Sequence, residues 1–338
     1  MAQKSVYDLT YWEKELTKQG YGDRELRRRR RLLFREFVSG DTMEWPENLD
    51  LQFNHLTLVD RQDSKVDGAS KLLFETADGK KVETVILRIS SGRTSLCVSS
   101  QVGCTEKCSF CATGAMGFFR NLTFAEILDQ VVQAGRILAA EGRSPRNIVF
   151  MGMGEPLRNY EGLSSSLDML LEGRAFQFAP KFITVSSSGI ADLMVKFAKD
   201  YPGVSLALSL NASNDQVRQV IMPINERFPL SALKEALKEI EVLRNSETMI
   251  EYIMFDGLND SLEAAEEVAD FLEGLQVHVN LIPYNIDWSI DRKFMPSSTE
   301  TITAFQNLLK ERGYKVTRRF SLGQDIAAAC GQLANTTK

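Results

Sequence analysis

The chain has 338 residues, enough to bury a substantial core in one large domain with a smaller companion. A formal net charge of −5 gives no global sign of nucleic-acid binding, and no apolar run reaches the length of a membrane-spanning helix. Five cysteines are an odd number for a disulfide framework in a chain too large to need one, and they point instead to metal or redox chemistry in a reducing compartment.

The N-terminal segment MAQKSVYDLTYWEKE lacks the apolar core of a signal peptide, so a cytoplasmic protein with no membrane association is expected. DLTYWEKELTKQG carries a helix cap and the helical spacing of Leu9, Trp12 and Leu16. A second helix follows, in which Arg24, Arg27, Arg28, Arg29, Arg30, Arg31 and Arg35 crowd before and into LLFREFV. These features define a small helical domain over 1–70 that offers phosphate contacts, although an arginine run is also an ordinary solvated helix face. KLLFETADGKKVETVILRI reads as a β-hairpin turning at Asp78-Gly79, a linker region over 71–93.

From about residue 94 strands alternate with helices. Strands are expected at TSLCVS, NIVFM, FITVS, VSLALSL, MIEYIMF, VHVNLI and KVTRRF. Helices are expected at 123–141, 161–172, 191–200, 214–220, 231–244, 261–274 and 299–311. This alternation predicts the α/β class and a parallel sheet covered by helices. The number of repeats favours a barrel, full or partial, over an open sheet; the expectation is a partial (β/α)6 TIM-like barrel spanning 94–338, with chemistry at the C-terminal ends of the strands. The distinctive polar residues and glycines do follow strands: the cysteine loop, Gly-Met-Gly-Glu at 152–155, Ser186, Asn211 and Asn285.

Cys104, Cys108 and Cys111 have the spacing C-x3-C-x2-C. Three thiolates on a short loop bind three irons of a [4Fe-4S] cluster and leave the fourth iron open. An open iron can chelate the amino and carboxylate groups of S-adenosylmethionine and pass an electron to its sulfonium, generating a 5′-deoxyadenosyl radical. The alternative is structural zinc, which takes four ligands; only His55 and His278 are available as histidines, neither near the motif, and Cys97 is poorly placed on a strand.

At these residues the sequence resembles the radical-SAM RNA (adenine) methyltransferases of the RlmN/Cfr family. SSQVGCTEKCSFCATGAMGFFRNLT, GMGEPL, VSSSG, MPIN, NLIPYN and DIAAACGQL carry the resemblance, which runs from about Val82 to Leu333. The first 70 residues match only in size and helical character. The resemblance implies a barrel of the radical-SAM type with a [4Fe-4S] cluster and S-adenosylmethionine as cofactors. The implied activity is methylation of a ring carbon, C2 or C8, of adenosine in ribosomal RNA, with transfer RNA as a second substrate class. An electron donor such as flavodoxin or ferredoxin would reduce the cluster, and a monomer is expected.

The resemblance also assigns roles. Gly154 and Glu155 match the pair that contacts the methionine end of the cofactor, where a carboxylate suits an ammonium. Ser186, Ser209, Leu210, Asn211 and Asn285 match further cofactor-contacting positions; Asn211 stands where relatives usually carry histidine. Cys330 matches the S-methylcysteine intermediate, Cys97 its resolving partner in a transient disulfide, and Glu83 the proton acceptor. Taken alone, Glu83 reads as a solvated strand residue, and Cys97 and Cys330 as small buried apolar groups. CATG and the Phe320-Ser-Leu-Gly stretch lean toward C8 methylation, and GFFRNLT toward C2. Two other readings compete: a radical-SAM activase or mutase not acting on RNA, and a non-catalytic RNA-binding module with a structural metal.

Overall fold

The computed structural model describes residues 3–286 and 294–334. The chain opens with strand β1 (Lys4–Ser5), helix α1 (Leu9–Lys18) and helix α2 (Asp23–Phe34), and a short strand β2 (Leu51–Gln52) pairs in parallel with β1. Asp8 caps α1 by accepting the Tyr11 N–H at 3.0 Å, and Leu9, Trp12 and Leu16 bury as their spacing predicts. The arginines of α2 divide in two. Arg29 and Arg30 are buried: Arg29 stacks on Trp45 at 4.7 Å and donates to the Glu44 carbonyl at 2.7 Å, while Arg30 pairs with Glu13. Arg24, Arg27, Arg28, Arg31 and Arg35 stay exposed.

Next come β3 (Leu56–Asp63), β4 (Ala69–Thr76), β5 (Lys81–Arg88) and β6 (Thr94–Cys97), each antiparallel to its predecessor. A small ribbon of β7 (Gln101–Gly103) and β8 (Phe118–Asn121) encloses a single-turn helix α3 (Ala112–Ala115). The remaining elements alternate: α4 (Phe124–Ala140), β9 (Asn147–Phe150), α5 (Tyr160–Leu171), β10 (Ile183–Ser187), α6 (Ala191–Asp200), β11 (Ser205–Ser209), α7 (Asp215–Ile221), α8 (Leu230–Leu243), β12 (Thr248–Met254), α9 (Leu262–Leu272), β13 (Val277–Pro283), α10 (Thr299–Glu311) and β14 (Lys315–Arg318).

One sheet of ten strands carries the order β14-β13-β12-β11-β10-β9-β6-β5-β4-β3. Strands β6 and β9 to β14 are parallel, which realises the expected β/α units with β14 added after the last helix. The sheet is open, because β3 and β14 stand at its two edges. It also curls. Arg319, just past β14, reaches Met151 beyond β9 at 3.6 Å and Glu251 on β12 at 3.4 Å.

Two expected boundaries need correction. Residues 71–93 are not a linker, since β4 and β5 are continuous with the main sheet, and the 1–70 segment already contains β3. The strand LTLVDRQD escapes a hydrophobicity reading because only Leu56 of it is buried: it is a polar edge. The N-terminal unit is tied to the barrel through Asp129 on α4. Its buried carboxylate accepts the N–H groups of His55 (2.7 Å) and Leu56 (2.8 Å) and the Tyr7 hydroxyl (3.2 Å). A reciprocal capping box of Thr123 and Glu126 starts α4 and fixes the helix that carries Asp129.

Candidate active site

The cysteine loop leaves the sheet at the C-terminal end of β6. Gly103 makes this possible: its φ is +76°, and a Cβ there would lie 1.8 Å from the Gly117 carbonyl oxygen. The Cys104 N–H donates to that same carbonyl at 3.0 Å, closing the loop on itself. Lys107, at φ +53°, turns the chain between Cys104 and Cys108, and the Cys111 N–H returns to the Cys108 carbonyl at 3.1 Å. The C-terminal segment docks on this loop. Ala112 N–H donates to the Gly331 carbonyl at 2.8 Å, and Thr113 Oγ1 donates to the Leu333 carbonyl at 2.6 Å. Cys330 is thereby brought to the cysteine loop from over two hundred residues away in sequence.

A cavity of about 150 Å³ receives Cys104, Cys108, Cys111, Cys330, Glu155 and Ser186 in its wall. Among the described residues, no three His, Cys, Asp or Glu side chains are disposed to hold a single metal ion. A [4Fe-4S] cluster places each cysteine on a different iron and needs no common point. Burial pushes the Cys104 thiol up to about 12 and raises Cys108 and Cys111 as well, so these groups become thiolates only against a strong local positive charge, which iron supplies. Glu155 is also buried. Burial pushes its carboxyl up to about 7, against the Ser188 N–H at 2.8 Å that favours the charged form. An ammonium placed here would restore full ionisation. Three thiols facing a buried carboxylate thus fit a cluster together with an amino-acid-bearing cofactor.

A second cavity, of about 500 Å³, adjoins the first and shares Cys111, Met151, Gly152, Cys330 and Gly331 with it. Cys97, at the end of β6, lines it too. All five cysteines are free thiols. Burial and the nearby Cys330 push the Cys97 thiol up to about 12, while the Arg319 guanidinium pulls it down.

The profile of the radical SAM superfamily matches residues 98–272. The "Probable RNA methyltransferase" of Rhodopirellula baltica is 45% identical over 309 residues, covering 91% of this chain and 81% of its own. The dual-specificity RNA methyltransferase RlmN of Syntrophobacter fumaroxidans is 38% identical and covers 97% of both chains. A crystal structure of a radical SAM methyltransferase from Sphaerobacter thermophilus superposes with a TM-score of 0.90 at 39% identity, over 97% of this chain and 98% of that one. The chain belongs to the radical SAM RNA methyltransferases of the RlmN/Cfr family. It is an S-adenosylmethionine-dependent enzyme with a [4Fe-4S] cluster, as this family is.

The residues matched to the family's cofactor contacts separate into two groups. Gly154, Glu155, Ser186 and Ser209 line the smaller cavity. Gly154 needs its φ of +96°, and a Cβ there would sit 2.5 Å from the Gln101 side chain. Leu210, Asn211 and Asn285 are not in that wall. Leu210 is buried, and its N–H donates to the Glu251 carbonyl at 3.0 Å. Asn211 is buried at φ +58°, its Oδ1 accepts the Ile253 N–H at 2.9 Å, and its Nδ2 lies 3.3 Å from the Met222 sulfur. Its amide therefore stitches β11 to β12. Asn285 spans Cys330 and Gln324: its Nδ2 donates to the Cys330 carbonyl at 3.2 Å and its Oδ1 accepts Gln324 Nε2 at 2.8 Å. It positions the Cys330 segment.

Glu83 is not a solvated strand residue. It is 1% exposed and pairs with Lys71 of β4 at 3.3 Å. Sequence reasoning missed Lys71, Arg319 and Arg218. Buried Arg218 donates to the Ser188 carbonyl at 2.6 Å and the Leu210 carbonyl at 3.1 Å, clamping the C-terminal ends of β10 and β11. The signal for Lys71 was a lone cation opening the apolar run KLLF; for the arginines there was none.

Proposed function

We propose that this enzyme methylates C2 or C8 of an adenosine in ribosomal or transfer RNA by way of a methyl group carried on Cys330. The observation that supports it is the position of Cys330 in the walls of both cavities, between the three cluster cysteines and Cys97. When bound, the cluster and S-adenosylmethionine supply the methyl group and the radical chemistry that activates it. The chain's own residues do the rest. Cys104, Cys108 and Cys111 hold the cluster, and Glu155 receives the cofactor's ammonium. Cys330 Sγ carries the carbon toward the base. Glu83 accepts the ring proton on its carboxylate. Cys97 Sγ, as the thiolate, then bonds to Cys330 Sγ as the carbon–sulfur bond breaks, and the released carbon takes up a proton to complete the methyl group; this follows the logic of thiol–disulfide exchange, and a reductant resets the pair. The activase or mutase alternative has no use for this second pair of cysteines.

The target base must leave its stack to reach Cys330. Arg24, Arg27, Arg28 and Arg31 border an open groove of about 800 Å³, completed by Arg174, which suits RNA phosphates. A flavodoxin or ferredoxin as one-electron donor, a cytoplasmic location and action as a monomer complete the reading; no helix among the described residues is long and apolar enough to cross a membrane. The test incubates cluster-replete, reduced protein with isotopically labelled S-adenosylmethionine and ribosomal or transfer RNA. Mass spectrometry of the digested RNA then distinguishes 2-methyl- from 8-methyladenosine. Failure to form either under these conditions refutes the proposal.

A further inference from the structure

Lys71 is a lysine only 4% exposed on the inner face of the sheet, and nothing in the chemistry above gives it a task. Its Nζ lies 3.3 Å from a carboxylate oxygen of Glu83. The strand register accounts for the meeting. Lys71 on β4 stands opposite Val85 on β5, and Val85 opposite Cys97 on β6. Glu83 is two residues from Val85 on the same strand, so it shares that face on the adjacent rung. Val85 and Cys97 both line the larger cavity. Neither member of the ion pair lies in a cavity wall: the pair packs behind Val85, with Glu83 on the strand next to Cys97 and Lys71 one strand further away.

Burying two ions costs several kcal/mol each after relaxation, and apolar side chains of similar volume would fill the space at no such cost. Burial without a partner disfavours the charged form of a carboxylate. A proton acceptor in the same interior needs a cation to stay ionised.

We propose that Lys71 is the positioning residue of the proton acceptor: its ammonium holds Glu83 ionised and oriented toward the base before the ring proton leaves. This rests on the reading of Glu83 as that acceptor. The proton passes from the ring carbon to a Glu83 oxygen, which turns the ion pair into a neutral carboxylic acid beside an ammonium. Lys71 keeps its own protons throughout. Other charged or titratable groups face this rung. Glu75 and Lys81 stand opposite each other on the next same-face rung of β4 and β5, β3 contributes Asp60 opposite Leu73 with Gln62 opposite Lys71, β6 contributes Cys97, and Arg319, which lines the larger cavity with Val85 and Cys97, engages Glu251 of β12.

The experiment uses reconstituted holoenzyme with RNA and reads three quantities: iron content, Cys330 methylation by intact-protein mass spectrometry, and the methyladenosine rate across the pH range from about 6 to 9. Lys71→Met is expected to keep iron and Cys330 methylation, neither of which involves removal of the ring proton by Glu83. It is expected to move the acid limb of the methyladenosine profile upward by about one pH unit or more, which is about a tenfold loss of rate below that limb. Lys71→Arg restores the limb. An unmoved limb in Lys71→Met overturns the proposal, as does an equal movement in Lys81→Gln. If Lys71→Met fails to retain its cluster, Lys71→Arg decides alone: it keeps the charge, so a displaced acid limb in that variant overturns the proposal. Glu83→Gln separates the two readings. Wild-type turnover in Glu83→Gln removes the acceptor role itself, whereas an inactive Glu83→Gln beside an unaffected Lys71→Met removes only the role of Lys71.

Discussion

Replacing Asp129 tests whether a single buried carboxylate joins the N-terminal unit to the barrel. In the folded protein it accepts two backbone N–H groups, from His55 and Leu56, and the Tyr7 hydroxyl, besides the Gln133 amide at 2.8 Å. Asp129→Ala leaves three of these donors unpaired in a region closed to water. At about 1 kcal/mol or more for each unsatisfied donor, the loss is about 3 kcal/mol or greater. Asp129→Asn should behave differently. Its amide oxygen can take the place of the oxygen that receives both N–H groups, and its NH2 can face the Tyr7 hydroxyl, which also accepts. Burial raises the Asp129 carboxyl above its ordinary range, so the charged form is the disfavoured one in the fold. The sign follows: a raised folded-state value contributes stability at low pH that is lost as pH rises through it, and the neutral amide should cost about 1 kcal/mol or less at neutral pH. Urea unfolding followed by tryptophan fluorescence is a suitable assay, because Trp12 and Trp45 both lie in the N-terminal unit. The reasoning is refuted if Asp129→Ala loses under about 1 kcal/mol, or if Asp129→Asn is as damaging as alanine.

Gly103→Ala places a methyl group into the Gly117 carbonyl at a left-handed φ; iron content after reconstitution should fall well below wild type, and full iron loading would contradict the loop geometry. Asn285→Ala removes two hydrogen bonds that hold the Cys330 segment, each worth about 0.5–1.5 kcal/mol, so Cys330 should alkylate faster by about tenfold while iron content stays unchanged. Replacing Arg24, Arg27 and Arg31 with glutamine should reduce the slope of log affinity against log salt for RNA by about 2 to 3; an unchanged slope excludes this groove as the phosphate contact. Burial raises Glu155 to about 7, so the cofactor-free protein should gain stability as pH falls from above 7 toward the ordinary carboxylate range, and melting curves with S-adenosylmethionine added should lose that dependence.

Much of the barrel was legible in advance because its code is periodic. Each expected strand and helix from TSLCVS onward has its counterpart within a few residues, since apolar strands buried on both faces and amphipathic helices announce themselves locally. The strand β3 did not, being a polar edge. Nor did the split of the arginine run: Arg29 is a core residue only because Tyr21 and Trp45 fold around it. At the site, Gly154, Glu155 and Ser186 could be placed by their positions at strand ends and Ser209 by the family resemblance, but Asn211 and Asn285 could not be given their hydrogen bonds. Their partners, Ile253 and Cys330, are more than forty residues distant.

The sequence by itself determined the chemistry that depends on spacing along the chain: three cysteines for a cluster, and the order of strands that sets them at the mouth of a barrel. Tertiary structure alone decided what depends on meetings across strands. It closed Cys330 onto the cysteine loop through Ala112 and Thr113, turned Cys97 toward it, and buried Glu83 against Lys71. The physical reason is that metal ligands can be gathered by one loop, whereas a buried ion pair and two thiols in one cavity wall need several strands, and strand register becomes visible only once the sheet exists.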